Sequence, residues 1–265
     1  MNIGIAGVRP FDTDRLLAAK EIGYDFVETS LAAASSWEKS EADEFAHFLD
    51  ELSLPLVSTN GMFPPEIKLI GKEADRSVIS EYLHKSFDII KPFNTKVCVL
   101  GSGGARTIPD GYSKESAYDE FAQLISEVIS PIFDEYGKIL AIEPLNYSEC
   151  NIVNTVADSM RVVKAVNKPN VFTLIDFYHV RYNGEDIESF VDYKGYIKHV
   201  HVASFNNHRR YPRPFDGEDF RGFFDVLRRA DYKESNVSIE AGLIDQSIIT
   251  FKNTAMSAYN ILKNI

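Results

Sequence analysis

The chain is expected to fold as a single α/β domain over residues 1–265, a closed (β/α)8 (TIM) barrel, and three observations predict it. Eight short apolar, β-branched segments recur along the 265 residues, separated by stretches long enough for helices. Buried strands alternating with helices imply a parallel sheet, and eight such units at this length are what one barrel needs. The last four segments each end on an acid or a histidine, at the end of the strands where a parallel barrel carries its active site. A doubly wound open sheet is the runner-up, but it offers no reason for that third pattern.

Taken in order, the strands read as "NIGIAG" from Asn2, "DFVETS" from Asp25, "PLVSTN" from Pro55 and "KVCVLG" from Lys96. They continue as "ILAIEP" from Ile139, "VFTLID" from Val171, "IKHVHVAS" from Ile197 and "VSIEAG" from Val237. Between them, "DRLLAAKEIG" sets Leu16, Leu17 and Ala19-Lys20 on a stripe and stops at Gly23. "FAQLISEVISPIFDEYG", "VADSMRVVKAVN" and "FRGFFDVLRRADY" have the same helical character. No linker, repeat or low-complexity segment divides the chain.

Composition narrows the function classes. With 45% hydrophobic and 25% charged residues the protein reads as an ordinary globular chain, and no apolar run approaches a bilayer span. A formal net charge of −11 argues against a nucleic-acid partner, which calls for a basic surface. "MNIGIAGVRP" reads as a strand and turn, not as a cleavable leader. The two cysteines, Cys98 and Cys150, form no disulfide framework, so a reducing cytoplasm is expected, with both thiols free and buried.

At the strand ends stand Glu143, Asp176, the His199-Val200-His201 run and Glu240. Inward positions recur every second residue, so Ala141 shares a face with Glu143, Leu174 with Asp176, His199 with His201 and Ser238 with Glu240. A lone acid at a strand end reads first as a helix N-cap, and His199 reads as a core histidine. Four metal-type residues ending four consecutive strands read instead as one ring. Three carboxylates at such range raise one another's pKa, and a divalent cation relieves the conflict. Oxygen-rich ligation with one imidazole suits Mn²⁺, Mg²⁺ or Co²⁺, with Zn²⁺ also admissible.

These residues carry a resemblance. "IEPLNYSE" (Glu143 to Glu149), "IDFYH" (Asp176 to His179), "HVH" (His199 to His201) and "IEAG" at Glu240 resemble the xylose-isomerase-like barrels. Within them the resemblance is specifically to the sugar phosphate isomerase/epimerase group with the ketose 3-epimerases. It implies metal ligands at Glu143, Asp176, His201 and Glu240, and substrate contacts at Glu149 and His179. One position departs. The family pattern sets an arginine six residues after the histidine ligand, which here is Asn207. Arg209, three residues before Pro212, is the better candidate if two residues are inserted, with Arg210 and Arg213 as alternatives.

Weaker signals complete the reading. "GSGGARTIPDG" (Gly101 to Gly111) reads as a tight turn that lets backbone approach the substrate, with Arg106 salt-bridged or at the rim. "GMFPPE" (Gly61 to Glu66) and Trp37 are candidate apolar walls for a sugar face, and Glu28 a candidate hydroxyl binder. The expected function is a metal-dependent isomerase or epimerase of a sugar or keto-sugar, with Glu143 and Glu240 as acid and base. The partner is this small molecule, with no nucleic acid or membrane, and monomer and homo-oligomer both stay open. An inosose-type dehydratase, an apurinic endonuclease and a non-catalytic sugar-binding barrel are the alternatives.

Overall fold

Among residues 1–10 and 12–265, which the computed structural model describes, the strands pair in parallel and in sequence order until the last closes on the first. They are β1 (Asn2–Ile5), β2 (Phe26–Ser30), β3 (Leu56–Asn60), β4 (Val97–Leu100), β5 (Ile139–Ile142), β6 (Val171–Asp176), β7 (Ile197–Val202) and β8 (Asn236–Ile239). Closure runs through Asn2 beside Asn236 to Ile5 beside Ile239, which excludes the open doubly wound sheet.

The alternation of side chains divides the core in two. Ile3, Ile5, Val200, Val202, Val237 and Ile239 point outward and pack beneath the helices. Val97, Val99, Ala141 and Leu174 form a small separate cluster. Space inside is tight: a Cβ on Gly4 would come within 2.2 Å of the Phe26 ring, so β1 carries no side chain there.

The helices follow local chemistry. Helix Thr13–Ile22 ends at Gly23, whose φ of 106° permits the left-handed cap. Its buried face is Leu16, Ala18 and Ala19, while Leu17 is 42% exposed, so the expected stripe is rotated by one position. The segment from Lys114 to Glu135 is helical throughout but widens to a π turn over Ile125–Ile129. Pro131 explains it, because its ring lacks an N–H and crowds the carbonyl four residues back. Helix Val156–Val166 starts on a reciprocal capping box between Thr155 and Asp158. No helix among the described residues is long and apolar enough to cross a membrane.

Candidate metal and substrate site

Pairing sets Asp176 beside His201 and His201 beside Ser238, so Asp176 and His201 stand at one level and Glu240 follows one inward position further along the chain from β8. One ligand atom from each of Glu143, Asp176, His201 and Glu240 lies within 4.8 Å of all the others. Ligand oxygens at opposite ends of an octahedral ion of this class stand about 4.2 Å apart, so the group has the size of one coordination sphere.

Asp176 and Glu240 are held by groups outside the ring. Asp176 caps helix Phe177–Asn183: Oδ1 accepts the N–H of Tyr178 at 2.8 Å, and Oδ2 is buried with no hydrogen-bond partner. The cap and the ring are thus served by different oxygens of one carboxylate. His201 turns Nδ1 toward the ring, 3.4 Å from Glu143 Oε1 and 3.6 Å from Glu240 Oε2. Glu240 Oε1 accepts from Asn60 Nδ2 at 2.6 Å, and its Oε2 accepts from Arg209 Nη2 at 2.8 Å.

The electrostatics fit a cation. Burial pushes Asp176 up to about 6 and also raises Glu143, against the nearby His201 imidazole. Burial would raise Glu240 as well, but His201 and then Arg209 bring it down to about 2. Neighbouring carboxylates whose affinities for protons are driven this far apart are competing for too little positive charge. The orphaned Oδ2 of Asp176 and a donor set of three carboxylates and one imidazole suit a hard or borderline divalent ion.

Around the ring stand the residues expected to meet substrate. His179 is buried, with Nε2 3.5 Å from Asp176 Oδ2 and 4.0 Å from Glu143 Oε1. The backbone N–H of Asn146 donates to its Nδ1 at 3.1 Å, which makes Nδ1 the acceptor and leaves the proton on Nε2. Burial lowers the His179 pKa, which favours this neutral form. Glu149 accepts from Arg209 Nη1 at 2.8 and 2.9 Å and from Asn146 Nδ2 at 2.7 Å.

Of the three arginines after β7, Arg209 reaches the ring. His208 and Arg209 take φ of 54° and 58°, turning the chain back on itself. The Arg209 N–H donates to the Ser204 carbonyl, and its own carbonyl accepts from Gly242, so both strand ends pin it. Its guanidinium lies over the Tyr178 ring at 5.2 Å. Asn207 is buried and bonded to the Tyr211 carbonyl, and Arg213 pairs with Asp216.

Several weaker expectations are corrected. Arg106 is neither salt-bridged nor at the rim: it is fully buried and donates to the carbonyls of Leu100 at 2.8 Å, Glu143 at 2.6 Å and Val153 at 3.4 Å. The chain folds back over it, so the guanidinium supplies the Glu143 carbonyl and adds a second donor to those of Leu100 and Val153, which also accept the N–H groups of Glu143 and Leu145. Trp37 stands edge-on to Phe45 and Phe93 within the helix layer, and Met62 and Phe63 are buried, so none is an open wall. Glu28 is no hydroxyl binder at the mouth: it lies two residues before the end of β2, with its carboxylate sealed below.

Asn60 and Asn146 escaped sequence reasoning. Asn60 is the last residue of "PLVSTN", and Asn146 lies inside "IEPLNYSE", so both had positional signals; the partners they orient are remote in sequence.

A family model described as "Xylose isomerase-like TIM barrel" matches residues 16–249. The chain is 30% identical over 108 residues to a 3-dehydro-D-guloside 4-epimerase of Escherichia coli (strain K12), an alignment covering 40% of each. It is 23% identical over 226 residues to an L-ribulose 3-epimerase of Methylomonas sp. (strain DH-1), covering 82% of this chain and 74% of that one. A crystal structure of D-psicose 3-epimerase in the presence of D-fructose shares the fold, with a TM-score of 0.87, 17% identity and coverage of 100% and 99%.

Proposed function

The chain belongs to the xylose isomerase-like TIM barrel family, and from that premise we propose that it is a divalent-metal-dependent epimerase or isomerase of a neutral sugar or keto-sugar. The observation that carries the reading is the ring of Glu143, Asp176, His201 and Glu240 at the barrel mouth, with a polar rim built for hydroxyl or carbonyl oxygens. The epimerase names of the relatives support the reaction class.

In this reading Asp176 and His201 hold the ion, Mn²⁺ being the proposed occupant, while Glu143 and Glu240 ligate it and also move protons. When bound, the ion supplies Lewis-acid polarisation of a carbonyl and stabilises the negative charge that follows deprotonation. Glu143 and Glu240 come from β-strand ends on either side of β6 and β7, so each can serve one face of a substrate. One removes the proton beside the carbonyl and the other returns it from the opposite side. The His179 Nε2–H is a neutral donor for a substrate oxygen, oriented by Asn146. Arg209 holds Glu149 and Glu240 in place and offers a guanidinium to oxygens between them. Four acids against Arg209 and one divalent ion leave the mouth about one unit negative, which favours a neutral sugar over its phosphate.

The test is a panel of keto-sugars and 3-keto glycosides, each with its phosphorylated counterpart, incubated with Mn²⁺ in D₂O. The expected product is an epimer or isomer carrying solvent deuterium on the carbon next to the carbonyl. Glu143→Gln and Glu240→Gln should each lower net conversion by about 10²–10⁴-fold. Full-rate product without deuterium would refute the two-carboxylate proposal, a dehydrated product would assign an elimination, and preference for phosphates would overturn the substrate charge.

A further inference from the structure

Below the ring, inside the barrel, lies a second polar cluster that the reaction does not touch. Glu28, Ser58, His199 and Ser238 are all wholly buried. Glu28 Oε2 takes three donors: His199 Nε2 at 2.8 Å, Ser238 Oγ at 3.1 Å and the Ser58 hydroxyl. That leaves Oε1, which lies 2.9 Å from His201 Nε2 at ion-pair distance, with no aligned hydrogen bond to either atom from any other group. The carboxylate is therefore fixed on one oxygen and presents the other to the imidazole whose Nδ1 faces the ring.

We propose that Glu28, itself anchored by His199, Ser58 and Ser238, is the positioning residue that fixes His201 with Nε2 protonated and Nδ1 free to bind the metal. The inference rests on the metal reading of the ring. An ionised carboxylate is tolerated in this interior only if it is paired and hydrogen-bonded, and the four groups around Glu28 meet that condition. A histidine ligand has two equivalent-looking nitrogens, and the partner of the outer one decides which carries the proton. A carboxylate on Nε2 also makes Nδ1 a more basic ligand.

The test titrates chelator-stripped full-length protein with Mn²⁺ alone and compares wild type with Glu28→Gln, whose amide keeps the volume but not the charge. Weakening of Mn²⁺ binding by about 10–100-fold, with the metal-free Tm and circular dichroism retained, supports the proposal. Equal affinities in folded proteins overturn it while leaving the ring reading intact. Failure of wild type to bind Mn²⁺ overturns the ring reading and this inference together. Where Glu28→Gln does not fold, ¹⁵N–¹H spectra of the six histidines in the Mg²⁺- or Zn²⁺-loaded wild type decide. His201 protonated at Nε2 supports the proposal; protonation at Nδ1 overturns it.

Discussion

Gly101 follows β4, and a Cβ built on it would fall 2.2 Å from Glu143 Oε2 and 3.3 Å from its Cδ, with Leu145 Cδ2 at 3.7 Å. Ordinary contact begins near 3.4 Å, so in Gly101→Ala the Glu143 carboxylate must retreat by about 1.2 Å. Gly101 is not among the residues with positive φ, so alanine there carries no backbone strain. The substitution thus acts on a side chain of the ring and hardly on the chain itself. Displacing a reacting group by about 1 Å is enough to lower a rate by about 100-fold, and a ligand moved that far weakens the metal too. The expected result is a protein with near-normal Tm, Mn²⁺ affinity reduced severalfold or more, and turnover down by about 100-fold. Gly104→Ala is the control, because its Cβ would meet Pro65 at 2.9 Å and no residue of the ring. It should lower Tm more than it lowers metal affinity. Wild-type turnover and metal binding in Gly101→Ala would refute the reasoning, since the carboxylate would then have been free to move at no cost.

Two further outcomes follow from buried charges away from the ring's own acids. Replacing Arg106 by Met removes charged donors from three carbonyls, of which those of Leu100 and Val153 keep the N–H groups of Glu143 and Leu145, and should destabilise metal-free protein by about 1–3 kcal/mol, read from urea denaturation; no measurable loss would show that the Glu143 carbonyl finds another partner. Burial raises Glu185 to about 7, so the folded state favours its neutral form. That contribution is full below the unfolded carboxylate range near pH 4.5 and is lost as pH rises toward 7. Glu185→Gln should therefore gain in Tm relative to wild type between pH 5 and pH 8, and a difference independent of pH would refute the assignment.

The barrel was legible in the sequence because its determinants are local. Short, almost continuously buried apolar runs such as "ILAIEP" and "IKHVHVAS", helical stripes between the strands, and Gly23 as a stop are all properties of a few neighbouring residues. The ring members Glu143, Asp176, His201 and Glu240 were legible for the same reason, since each stands within one residue of the end of its own strand. Asp176 shows how much a local reading holds, for it is both the helix cap expected of a lone acid and the bearer of an unpartnered buried oxygen.

What only the tertiary structure decided is which remote groups meet. Arg209, not Arg210 or Arg213, faces Glu149 and Glu240 because two consecutive left-handed residues and the ends of β7 and β8 aim it there. Arg106 became a buried clamp on three carbonyls because the loops after β4 and β5 fold over it. Asn60 orients Glu240 across 180 positions of chain, and Glu28 meets His201 across 173. Strand spacing says which face a side chain takes, but register and closure set the level at which it meets its partners. Those depend on packing summed over the whole barrel, which no window of sequence contains.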